Sequence, residues 1–212
     1  MLQSRRQILG QLAGATVAVP ALARPAQRRL EPTPNEIVGP FYPLAKPADT
    51  DIDLTMVTGR TARAAGQIIE ISGRVMSLTG RPVPGARLEI WQANAAGRYA
   101  HPSDDNPAPL DPNFQGYASL ATDANGEYRI ITVKPAGYPG GRRGMRTPHI
   151  HFDMTGRTDR LVAQMYFPDE PLNVTDALLR ANIRPAMVIA AAMGASASGI
   201  LRYRWDVVLR TG

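Results

Sequence analysis

Short runs of alternating apolar and polar residues, each stopped by a turn signal, constrain this chain more than any other feature. Residues 67–76 alternate with the period of a strand, and Thr79-Gly80-Arg81-Pro82-Val83-Pro84-Gly85 ends them. Residues 86–92 form the next run. Residues 117–122 and 127–133 flank Asp123-Ala124-Asn125-Gly126, whose turn chemistry predicts a hairpin. Residues 149–154, 161–167 and 203–209 complete the set. One helical pattern lies near 174–181, with Asn173 or Thr175 as its cap. Residues 189–193 are apolar but too short to assign, and either continue that helix or line the core. With 19 Gly and 19 Pro in 212 residues, such a chain makes strands and turns rather than a helical bundle. The expectation is all-β: a β-sandwich with long loops and one or two short helices.

The sandwich is assigned to residues 65–212. Before it, residues 28–64 are rich in Pro and polar residues yet contain the apolar stretch Val38-Gly39-Pro40-Phe41-Tyr42-Pro43, so they read as an arm packed on the core or on a neighbouring subunit. Residues 1–27 have a charged start at Arg5-Arg6, an apolar middle and an Ala21-Leu22-Ala23 end, which is the layout of an export signal. The apolar middle is about 12 residues, short of the ~20 that span a bilayer, so stable membrane insertion is not expected. The net charge of +6 is scattered, without the dense basic stripe that nucleic-acid binding needs. Cysteine is absent, which excludes thiolate metal sites and thiol nucleophiles.

Two of the three histidines, His149 and His151, are separated by one residue. In a strand, positions i and i+2 share a face, so both imidazoles can address one metal ion. Further ligands must come from elsewhere. His101 lies in a loop-like stretch, and Asp153 continues the His149/His151 face; either would suit zinc. Tyr99 ends a small-residue loop, and Tyr138 sits between Gly137 and Pro139; these would suit ferric iron, because hard phenolate oxygens favour it. Trp91 reads as packing beneath the loop that carries Tyr99.

Taken in order, several motifs resemble the intradiol ring-cleavage dioxygenases, the protocatechuate and catechol dioxygenase family. They are Gly39-Pro40-Phe41-Tyr42-Pro43, Glu89-Ile90-Trp91-Gln92-Ala93-Asn94-Ala95-Ala96-Gly97-Arg98-Tyr99 and Leu110-Asp111-Pro112-Asn113-Phe114. Lys134-Pro135-Ala136-Gly137-Tyr138-Pro139, Arg146-Thr147-Pro148-His149-Ile150-His151-Phe152 and Gln164-Met165-Tyr166-Phe167 follow. The resemblance covers 33–212 and implies a non-haem Fe(III) site held by Tyr99, Tyr138, His149 and His151. It also implies O2-dependent cleavage of a catecholic ring between its two hydroxyl-bearing carbons, giving a cis,cis-muconate-type acid. Tyr138 is expected to leave the metal and take a substrate proton. Arg146 would lie over the substrate ring, with Gln164 positioning it, and Gly39 and Pro40 would close over the site. The Arg5-Arg6 leader resembles a twin-arginine signal, which implies a periplasmic home.

Three departures from the family are visible. Protocatechuate enzymes commonly have a tryptophan two residues after the second tyrosine, where this chain has Gly140. They also use two subunit types, whereas here one chain combines the Gly-Pro arm with all four ligands, which suggests a monomer or homo-oligomer. The long helical N-terminal domain of catechol 1,2-dioxygenases is missing. Two rival readings remain at this level. The Gly73-Arg74-Val75 and Thr122-to-Tyr128 segments also occur in non-catalytic transthyretin-like binding modules, and the His149/His151 pair alone would serve a zinc protein.

Overall fold

The sandwich is organised around β1 (Ile68–Ser77), whose alternate residues Ile69, Ile71 and Val75 are fully buried. In the computed structural model, which describes residues 29–211, β4 (Glu127–Val133) runs antiparallel along one side of β1. Along its other side run β10 (Leu201–Arg204) and then β11 (Val207–Leu209), both parallel to it. The exposed strand β9 (Ala191–Ala195) extends this sheet beyond β10. The second sheet has the order β3 (Tyr117–Ala121), β2 (Arg87–Trp91), β7 (His149–Thr155), β8 (Arg160–Tyr166), all antiparallel. A two-stranded ribbon of β5 (Tyr138–Pro139) and β6 (Met145–Arg146) stands apart from both sheets.

The core lies between the two sheets. Leu88, Ile90, Ile150, Phe152, Met154, Ala163 and Met165 of one sheet meet Ile69, Ile71, Val75, Ile130 and Val207 of the other. This is the expected β-sandwich. Strand periodicity then fixes the site: because Ile150, Phe152 and Met154 point into the core, His149 and His151 must project from the opposite face.

Four expectations about elements need correction. The Asp123-Ala124-Asn125-Gly126 turn is well formed, with Asp123 Oδ1 accepting from Asn125 N and Glu127 N at 2.8 Å each, but it is not a hairpin. It carries the chain from β3 in one sheet to β4 in the other. The 78–86 connection crosses in the same way, and Thr122 laces the two: its hydroxyl accepts from Ala86 N (2.9 Å) and donates to Val83 O (2.7 Å). The expected strand at 203–209 is broken at Trp205-Asp206, where Trp205 O accepts from the Tyr128 hydroxyl (2.7 Å) and Asp206 Oδ1 from Arg74 N (2.9 Å). The helix is shorter than expected. A 3-10 turn at Pro171–Val174 precedes α1 (Ala177–Ala181), and the cap is Asp176, since neither Asn173 nor Thr175 reaches the free helix amides. Of residues 189–193, Ala190 lines the core as expected, whereas 191–193 begin an exposed strand.

The arm packs on its own chain. Thr33 pairs with Val208 in both directions (3.0 Å each), Glu36 N donates to Val162 O (2.7 Å), and Asn35 Oδ1 accepts from Val162 N (3.0 Å). The Thr33 bonds fasten the arm to β11, and the two to Val162 occupy the open edge of β8, which would otherwise offer unpaired backbone groups to another strand. The chain then crosses the outer face of the second sheet, where Lys46 bonds Glu89 (2.6 Å) and the Tyr117 hydroxyl (3.1 Å). The proposed leader lies outside the described residues. Among the described residues, no helix is long and apolar enough to cross a membrane.

Candidate active site

Register across the second sheet sets one row of side chains on its outer face: Tyr117 opposite Trp91, Trp91 opposite His151, and His151 opposite Gln164. His149 and Tyr166 face each other one step along. The outer face of a sandwich sheet is normally wet, yet His149 and His151 are 1% and 2% exposed, because the arm and two loops cover them. Trp91 stacks on the His151 ring with centroids 4.8 Å apart and planes 9° apart, and it shares a buried cluster with Tyr99, as expected.

The two tyrosines arrive on loops that lock each other. Asn94 organises the first loop: its Oδ1 accepts from Ala96 N (2.9 Å) and Arg98 N (3.0 Å), and Asp104 Oδ2 then accepts from Tyr99 N (2.7 Å). Gly97 has φ +79°, and a Cβ there would stand 2.6 Å from Gly137 O. Only glycine allows the first loop to lie directly on the second, immediately before Tyr138. Pairing of β5 with β6 places Tyr138 opposite Arg146.

The structure therefore gathers all four predicted ligands. Ring centroids are 5.4 Å apart for Tyr99–Tyr138, 5.4 Å for Tyr138–His149, 4.9 Å for His149–His151 and 6.1 Å for Tyr99–His151. Thr147 O takes the Nδ1 side of His149 at 2.6 Å, which leaves Nε2 facing the Tyr138 hydroxyl at 3.2 Å. Tyr99 Oη is buried with no hydrogen-bond partner. A buried orphan oxygen is costly unless something accepts its electrons.

Burial dominates the electrostatics. It pushes the Tyr99 phenol well above its ordinary range, with Tyr138 alongside adding to the effect, and raises the Tyr138 phenol against the opposing pull of Arg146. It lowers His149 to about 3, helped by the Arg146 cation, and takes His151 well below its usual value, helped by His149 and Arg146. Both imidazoles are thus neutral and free to donate lone pairs, while both phenols await a cation strong enough to ionise them. This donor set fits a hard, highly charged ion better than zinc. His101 does not join it: Nδ1 accepts from Ser103 N (3.1 Å) and the ring meets Phe41. Asp153 is taken by Arg160 at 2.6 and 2.9 Å. Among the described residues, no three His, Cys, Asp or Glu side chains cluster to hold a metal.

Arg146, 5% exposed, lies beside this cluster. Its Nε donates to Asp176 Oδ2 (2.8 Å) and its Nη2 to Gln164 Oε1 (2.6 Å) and Tyr166 Oη (3.3 Å). The expected partnership of Gln164 with Arg146 is present in the geometry. Gly140 underlies it, since a Cβ at that position would meet Arg146 Cγ at 2.8 Å. From above, Gly39 lies against His151, with 3.3 Å between its virtual Cβ and Cε1, and Phe41 stacks on Tyr99 at 4.6 Å. Pro40, between them, is exposed. A cavity of about 370 Å3 opens beside Gln164, between the arm and α1, and is lined by Glu36, Ile37, Leu178, Asn182 and Ile183.

Four contributors were not assigned from sequence: Asp176, Tyr166, Phe41 and Glu36. Tyr166 is two residues from Gln164, so strand period alone places it on the site face. Asp176 stands just before the helical run, as a cap does, but nothing local links it to Arg146.

A family model described as Dioxygenase, Dioxygenase_C, matches residues 37–211. The chain is 40% identical over 179 residues to the protocatechuate 3,4-dioxygenase beta chain of Burkholderia cepacia, covering 81% of this chain and 76% of that one. It is 31% identical over 160 residues to a catechol 1,2-dioxygenase of Acinetobacter baylyi, 68% of this chain but only 49% of that protein. Among solved structures, the dioxygenase domain of a dioxygenase–carbohydrate-binding fusion from Streptomyces sp. SirexAA-E superposes with a TM-score of 0.66 at 27% identity, covering 86% of this chain and all of the other. The chain belongs to the intradiol ring-cleavage dioxygenase family.

Proposed function

We propose that the protein is a non-haem ferric dioxygenase that inserts both atoms of O2 into a catechol, opening the ring between its hydroxyl-bearing carbons to a cis,cis-muconate-type diacid. The observation that carries this reading is the convergence of Tyr99, Tyr138, His149 and His151 in one buried cluster with Tyr99 Oη left unpartnered. These four residues would hold the iron. When bound, ferric iron supplies the Lewis acidity that makes a chelated catecholate reactive towards O2.

The remaining work falls to the chain. Tyr138 Oη takes one proton from the incoming catechol, and its two-residue strand lets the phenol swing clear with little ladder to break. Arg146 holds its cation beside the ring and stabilises negative charge as it develops there. Gln164 and Tyr166 fix that guanidinium, and Gly39 and Phe41 keep water from the rings.

Gly140, with the Arg146 stem against it, remakes the wall where protocatechuate enzymes commonly carry tryptophan. On that ground the preferred substrate is a catechol other than protocatechuate. The resemblance to a fusion from a cellulolytic bacterium supports a catechol released from plant polymers. The Arg5-Arg6 leader would export the folded protein to the periplasm; fractionation of cells expressing the full chain and an Arg5→Lys/Arg6→Lys variant tests this.

Iron-replete expression should give a wine-red protein with one ferric ion per chain, through tyrosinate-to-iron charge transfer. Oxygen uptake with catechols should yield a muconate-type diacid. In Tyr99→Phe the colour should be lost with the fold intact. A colourless protein without iron would remove the dioxygenase reading and leave the binding module.

A further inference from the structure

We propose that Asp176 is a positioning residue that fixes the Arg146 guanidinium relative to the ligand strand. The proposal rests on the reading of Arg146 as the cation beside the substrate ring.

Asp176 has no exposure at all, and each of its oxygens holds two donors. Oδ1 accepts from Leu178 N and Leu179 N, 2.9 Å each, which ties the carboxylate to the backbone of α1. Oδ2 accepts from Arg146 Nε at 2.8 Å and from Thr147 N at 2.9 Å. The helix backbone thus makes Oδ2 a fixed point, and Oδ2 in turn fixes both a side chain and the peptide that follows it. Thr147 O is the atom that orients His149 at 2.6 Å. One carboxylate oxygen therefore sets the guanidinium and the start of the ligand strand in a single frame.

The rest of the guanidinium agrees with this. Nη2 is held by Gln164 Oε1 and Tyr166 Oη, and Nε by Asp176, so two edges are used. Nη1 makes none of these bonds and is the edge available to a substrate. Gln164 and Tyr166 stand on β8, whereas Asp176 stands at the start of α1, so only Asp176 brings a third element to bear on Arg146. An ionised acceptor with no exposure is also the strongest of the three contacts. Without it, Nε would be buried with no partner, and the guanidinium would be free to turn about Nη2.

Asp176→Asn separates the two roles of the carboxylate. The amide oxygen can still cap α1, while its nitrogen presents hydrogens to the Nε–H of Arg146 and to Thr147 N–H, a donor facing donors. The iron-loaded full chain should keep its iron content and charge-transfer absorption. Its catechol Kd, measured anaerobically, should move by less than about threefold, while kcat falls about 100-fold. In an R146M background the same change should cost less than about tenfold in kcat, the remainder due to its hold on Thr147 N, because Asp176 acts on turnover mainly through Arg146. The double variant also leaves neither charge buried alone, so it serves if D176N itself does not fold. A kcat for D176N within about threefold of wild type would overturn the proposal. So would an R146M/D176N double variant about 100-fold slower than R146M. If the iron-loaded wild type turned over no catechol, the reading of the site would fail instead, and the proposal with it.

Discussion

Arg146 Cγ lies 2.8 Å from where a Cβ on Gly140 would stand, and Gly144 O lies 3.0 Å from it. Real Cβ atoms essentially never come so near, and Cγ is too close to the backbone to yield alone, so any side chain at 140 must move the whole arginine. Gly140→Ala should therefore lower kcat/KM for catechols by about tenfold with iron absorption unchanged. Steady-state oxygen uptake on the iron-loaded variant measures this, and an unaltered kcat/KM would mean that the stem has room to yield. At this scale much of the site was legible. His149 and His151 followed from strand period alone. Tyr99 and Tyr138 did not, because a tyrosine in a turn carries no signal of its own; only the ordered motifs marked them. Asp176 was hidden because its second partner, Arg146, is thirty residues away in sequence and the contact depends on how α1 docks.

Among the elements, strands were read well because alternation reports which side of a sheet is dry. Their pairing was not. The Asp123–Gly126 turn has every residue a hairpin wants, yet β3 and β4 join different sheets, because turn chemistry fixes a reversal and not the neighbour. The arm was foreseen as packed, and its route could not be read, since Thr33, Asn35 and Glu36 dock on the backbone of β11 and β8, which carries no partner pattern in the sequence. That docking has a consequence for Phe41. Half-buried, it stacks on Tyr99 at 4.6 Å and meets Tyr138 at 6.0 Å, so it closes the cluster from outside. Phe41→Ala should cost about 1–2 kcal/mol of stability, less than a core phenylalanine. It should also speed iron loss to a chelator. Urea melts and the decay of the visible band under chelator check both; an unchanged rate of bleaching would show that the arm does not shield the metal.

For the molecule as a whole, Asn94 and Asp104 hold the loop that carries Tyr99, and Thr147 holds His149, through hydrogen bonds that involve no metal. The iron-free protein should accordingly be folded, and iron should stabilise it by mass action, about 2.7 kcal/mol at a free concentration one hundred times Kd. Calorimetry with and without iron checks this; an unfolded iron-free chain would contradict it. The clasp between arm and sandwich adds a pH dependence of its own. Glu36 accepts from Gln164 N (2.7 Å) and Asn182 Nδ2 (2.9 Å), yet burial outweighs these bonds and raises its pKa above 4.5, with the nearby Asp176 charge adding to the rise and Arg146 opposing it. As pH rises past 4.5, the unfolded chain gives up this proton before the folded one does. The folded state then holds more protons, so Glu36 contributes stability that is complete below the unfolded pKa and is lost as pH climbs through the folded value. Most carboxylates that gain cationic partners behave oppositely, as Glu89 does beside Lys46. Glu36→Gln keeps an acceptor but cannot ionise. Its Tm should fall less than that of the wild type between about pH 4.5 and 7, so the gap between the two curves should close or reverse as pH rises. Parallel Tm–pH curves for the two proteins would show that burial does not shift the titration of Glu36.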